Sequence, residues 1–81
     1  MTYIATFYSH FGAIRFKKLC ATKGWSARVM PVPRDLSSSC GTCVRYEGTD
    51  HRPSDAIPEE VEQIVQVTET GYNLLFKADN A

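Results

Sequence analysis

Pro58-Glu59-Glu60-Val61-Glu62-Gln63-Ile64-Val65-Gln66-Val67-Thr68-Glu69 decides how this chain folds, because its period separates two architectures. Proline followed by two glutamates suits the first turn of a helix, where φ near −65° and negative charge are both favourable. Val61, Ile64, Val65 and Thr68 then fall on one stripe at helical spacing, and Gly71 closes the segment. The expectation is a helix over 58–69.

Working backwards, "CVRYE" (43–47) alternates as a strand, and "GTDHRPSDA" after it is a loop. "SARVMPV" (26–32) is another strand, and Pro31 suits a sheet edge because proline cannot donate to a ladder. "TYIATFY" (2–8) is rich in β-branched and aromatic residues and apolar on both faces, as a central strand is. Between the first two strands, Ser9 is an N-cap. A helix over 10–23 buries Gly12, Ala13, Phe16, Leu19 and Cys20, and Gly24 stops it. Working forwards, "YNLLFK" (72–77) is the last strand. The order βαββαβ makes the expected fold α+β: a ferredoxin-like sandwich, with a four-stranded antiparallel sheet in the order 4-1-3-2 and both helices on one face.

That topology places Ser9–Gly12, Pro31–Cys43 and Thr68–Gly71 on one rim. The middle segment is the chemically unusual one: "PRDLSSSCGTC" (33–43) sets two cysteines around Gly-Thr after a run of serines. Cys40 follows three serines and precedes Gly41, a polar loop setting unlike the apolar neighbours of Cys20. A reactive thiolate needs loop amides, a helix N-terminus or a nearby cation. Gly41 allows the turn, Arg34 and His10 are candidate cations, and Ser37, Ser38 and Ser39 offer amides and hydroxyls to a bound anion. Cys43 enters the third strand, either as a partner for Cys40 or as strand filling. Pairing requires Cα atoms within ~4.4–6.8 Å. Thioredoxin-type CxxC pairs open a helix, whereas this one opens a strand. A zinc site needs four ligands, and only His10 shares the rim with the two cysteines, so no metal or other cofactor is expected.

Composition bounds the rest. The chain has 81 residues, 43% hydrophobic and 22% charged, and zero formal net charge. This describes one globular domain that buries only roughly 60–65% of its unfolded surface. Charge is segregated: Met1–Arg45 carries seven Lys/Arg and one acid, and Tyr46–Ala81 carries two against eight. The overall balance argues against nucleic-acid and membrane partners, while the asymmetry allows a local basic face. No signal-peptide pattern and no apolar run near ~18 residues occurs. With three cysteines, an odd number, the expected location is the reducing cytoplasm.

"TFYSHFGAIRFKKL" followed by "VMPVPRDLSSSCG" resembles the selenium/sulfur carrier-like family of small bacterial proteins. A similar domain ends sulfurtransferase-like selenium-metabolism proteins. The resemblance spans Tyr3 to Arg45, and Pro33, Arg34, Ser37, Ser38, Cys40 and Gly41 are its specific part. The family pattern has one cysteine, matching Cys40, and an apolar residue where Cys43 stands. The resemblance implies that Cys40 accepts a sulfur or selenium atom from a donor protein and passes it to an acceptor protein. Two other readings stay open: an interaction module with incidental thiols, and a Cys40–Cys43 redox element. A small domain with an apolar open sheet face also suggests a homodimer.

Overall fold

A computed structural model of the chain describes residues 1–79. The elements are β1 (Thr2–Phe7), α1 (His10–Thr22), β2 (Ser26–Pro31), β3 (Thr42–Glu47), β4 (Val61–Thr68) and β5 (Gly71–Lys77). They form one sheet in the order β2-β3-β1-β4-β5, with every neighbouring pair antiparallel. The expected four-stranded, two-helix sandwich is therefore incorrect. Over the described residues the fold is α+β with five strands and one helix.

The difference lies in residues 58–69. Pro58–Val61 forms a turn closed by Val61 N–H donating to Pro58 O at 3.0 Å, and the chain then becomes β4. Pro58 is the first residue of this turn and supplies its acceptor carbonyl, so a proline followed by two acids is compatible with a β-turn as well as with a first helical turn. The apparent helical stripe has a strand explanation. Thr6 faces Gln63 and Phe7 faces Val61, so Glu62 is an extra residue in β4. Such a bulge sets Val61 and Ile64 on the same face although they are three apart. Within β4, four of the eight residues are Val or Ile, and these favour the pleated conformation. β4 takes the place beside β1 that the sequence reading reserved for 72–77, and β5 becomes the outer strand. The Thr68–Gly71 turn consequently sits at the opposite end of the sheet from Ser9–Gly12.

Helix α1 forms as its sequence implies. Ser9 Oγ accepts the Gly12 N–H at 3.2 Å, and Trp25 and Gly24 N–H donate to Cys20 and Ala21 carbonyls, closing the C-terminus in a Schellman arrangement. Gly12, Ala13, Phe16 and Cys20 are buried, and Leu19 is half-buried. The helix packs on β2, β3 and β1. Tyr3, Phe7 and Tyr46 meet Phe16 there, with Phe16 edge-on to Phe7 and to Tyr46 at 5.3 and 5.1 Å between centroids. Each such side chain contributes roughly 1.5–3 kcal/mol on burial. Among the described residues no second helix covers the rest of this face. The irregular segment 48–60 crosses it instead, with Pro53 buried, Ile57 on the core, and the Tyr46 hydroxyl donating to His51 O.

The other face of the sheet is not open either. Val32 N–H donates to Gly41 O at 3.1 Å, extending the β2–β3 hairpin, and the loop beyond it folds over the sheet. Val32 and Leu36 pack with Ile4, Cys43 and Val65 in a second apolar cluster that also takes in Met30, Val67 and Tyr72. Leu74, the cross-strand partner of Val65, stays exposed on this face beyond the loop, while Phe11 and Ile14 on α1 and Leu75 on β5 are further exposed apolar residues.

Candidate functional site

The loop 33–41 owes its shape to four anchors. Pro33–Leu36 is a turn, with Leu36 N–H donating to Pro33 O at 3.0 Å. The Tyr72 hydroxyl donates to Asp35 Oδ1 at 3.0 Å, and Gln63 Nε2 donates to Ser37 O at 2.9 Å. Burial and the bond to Asp35 both raise the Tyr72 phenol. Ser39 gives its backbone N–H and its hydroxyl to the Glu62 carboxylate at 3.1 and 2.6 Å, and the buried Thr6 hydroxyl donates to the same carboxylate at 3.2 Å. Gly41 then takes φ +76°, a conformation in which side-chain residues are strained, and feeds the chain into β3.

Cys40 lies between the Ser39 anchor and that turn. It is half-buried and packs against the helix-side cluster, and its Sγ donates to Thr42 O at 3.6 Å. Thr42 Oγ1 is hydrogen-bonded to His10 Nδ1. Thr42 thus joins the cysteine loop to the first turn of α1, and His10 and Cys40 share the rim that the topology assigns them. Across that rim runs Glu60, whose carbonyl accepts the Tyr8 N–H at 3.0 Å. A Cβ on Gly12 would lie 2.4 Å from Glu60 Cβ, so only glycine permits this approach.

Cys43 is fully buried beneath the loop, in the cluster on the other face of the sheet, with Sγ donating to Pro31 O at 3.7 Å. Burial, reinforced by the Cys40 sulfur and partly offset by the Arg45 guanidinium, pushes its thiol up to about 11. Cys20 is sealed on the buried face of α1, and burial, opposed by a backbone hydrogen bond, pushes it up to about 11 as well. All three cysteines are free thiols.

The remaining expected residues divide. Arg34 is exposed in the Pro33–Leu36 turn and has no carboxylate partner among the described residues. Ser39 gives its N–H and hydroxyl to Glu62, Ser37 uses only its backbone carbonyl, which accepts from Gln63, and the Ser38 hydroxyl is enclosed without a partner. Ser39 thus holds the loop down through Glu62, and the Ser37 carbonyl through Gln63. Three residues of the site escaped the sequence reading: Glu62, Gln63 and Thr42. The first two lie in the segment read as a helix, where the same side chains would not face the loop. Thr42 carries a signal only through its place between the two cysteines.

Chemically, the arrangement offers one thiol on a fixed, partly exposed loop beside the amino-terminal end of a helix, with two further thiols held protonated in the core. Residues 2–72 match the family model described as "Putative Se/S carrier protein-like", a match that extends past the cysteine loop through β4. No curated protein and no solved structure matches the chain.

Proposed function

The chain belongs to the Se/S carrier protein-like family, and from that membership we propose that Cys40 is the carrying atom's point of attachment. The observation that supports this most is a difference among three thiols. Cys20 and Cys43 are fully buried, whereas Cys40 alone is within reach of solvent. Only a thiolate attacks a sulfane sulfur, and a thiol raised to about 11 supplies almost none at neutral pH.

In this reading the Cys40 thiolate attacks the outer sulfur of a donor persulfide. The donor S–S bond breaks and a Cys40 Sγ–S bond forms. The donor leaves as a thiolate, which takes up the proton that the Cys40 thiol gave to solvent, so no oxidant is consumed. An acceptor thiolate then repeats the step on the Cys40 persulfide. A perselenide follows the same balance. Arg34, exposed and without a carboxylate partner among the described residues, is available to the incoming donor or its anion. Cys43 acts as packing beneath the loop.

The test is intact mass after incubation with a cysteine desulfurase and cysteine. The expected result is a gain of one sulfur atom that reducing agent removes, kept in Cys43→Ala and lost in Cys40→Ser. Equal gain in Cys40→Ser would mean that another residue carries the atom.

A further inference from the structure

Arg28 on β2 and Arg45 on β3 are direct cross-strand partners. Both are exposed, and neither is paired with a carboxylate among the described residues. Like charges directly opposite on neighbouring strands destabilise a sheet, and guanidinium groups do not relieve the repulsion by losing a proton. A third cation from a different element, Lys17 of α1, lines the same depression of about 510 Å³, together with Ser26 and Glu47. One acid against three bases leaves this depression positive, and the Ser26 hydroxyl can both donate and accept. Thr42 and the Cys40 loop lie at the opposite end of β3, so the depression is separate from the thiol.

We propose that the depression lined by Lys17, Arg28 and Arg45 binds a phosphate-type oxyanion, either free or carried on a small molecule. Opposed guanidiniums with no carboxylate between them match a tetrahedral dianion, which accepts several charge-assisted hydrogen bonds at once. Glu47 sets the upper limit on that affinity, because its carboxylate repels the ligand.

The experiment is two-dimensional amide NMR of the full chain at low ionic strength. It is titrated in parallel with inorganic phosphate, with a nucleoside monophosphate, and with sodium chloride at matched ionic strength. The expected result is saturable shifts at Ser26–Arg28 and Arg45 with phosphate and not with chloride. Arg28→Gln should weaken binding by about ten-fold or more, the loss of a charge-assisted contact, and Glu47→Gln should tighten it. In phosphate-free buffer Arg28→Gln should raise the melting temperature, since it removes the cross-strand repulsion; this also shows that the variant folds. Tighter binding of the nucleoside monophosphate assigns the ligand to phosphorylated small molecules, and equal binding assigns it to free phosphate. Shifts that chloride reproduces, or that survive in both Arg28→Gln and Arg45→Gln, overturn the site.

Discussion

Ser39 donates both its backbone N–H and its hydroxyl to one carboxylate, that of Glu62, at 3.1 and 2.6 Å. Glu62 is the bulged residue of β4, so an irregularity in the sheet fixes the residue next to Cys40.

Removing this anchor should loosen the loop. Glu62→Ala leaves the fully buried Thr6 hydroxyl without its acceptor, and an orphaned buried polar group costs about 1–3 kcal/mol. Urea unfolding should register that loss. Alkylation of Cys40 in the native protein should rise several-fold, because the loop samples more open states. Unchanged stability together with an unchanged Cys40 rate would show that the Ser39–Glu62 contact does not hold the loop.

Gly12→Ala opposes two effects of known sign. Alanine in a helix is favoured over glycine by roughly 0.5–1 kcal/mol. The added Cβ, however, would meet Glu60 Cβ at 2.4 Å, and forced overpacking costs about 1–3 kcal/mol. The clash should win. A lower denaturation midpoint is expected, and a raised midpoint would mean that the turn before β4 yields easily.

Stability should fall at alkaline pH through Cys20 and Cys43. Both thiols are raised to about 11 by burial, whereas in the unfolded chain they ionise near ~8.5. Below that value both states are protonated and the contribution is complete. As pH rises towards 11 the unfolded state loses protons first, so folding is progressively disfavoured. Cys43→Ala should flatten the slope of unfolding free energy between those limits. A slope identical to the wild type would show that Cys43 is not desolvated.

Much of the first half of the fold was legible because its signals are local. Ser9 caps α1, Gly24 ends it, and Pro31 marks β2 as an outer strand. The second half was misread for a physical reason: one bulged residue, Glu62, gives a strand the i, i+3 spacing of a helix. The site followed the same division. Topology alone brought His10 and the Cys40 loop to one rim. That the loop folds down as a cover over Ile4, Cys43 and Val65 depends on Leu36 meeting a sheet face, and on Gln63 and Tyr72 reaching up to it. No local pattern records contacts between residues this far apart in the chain.

Cys40 as the carrying residue is tested most directly by locating the transferred atom. Cys40 and Cys43 share one tryptic fragment, Asp35–Arg45, so the measurement uses Cys43→Ala, which keeps Cys20 and Cys40. After incubation with a cysteine desulfurase and cysteine, the folded protein is trapped with an alkylating agent, digested and sequenced by mass spectrometry. The expected result is an extra sulfur atom on Cys40 and none on Cys20. An extra sulfur on Cys20, or an unmodified Cys40 while the same donor loads a reference thiol, would contradict the assignment.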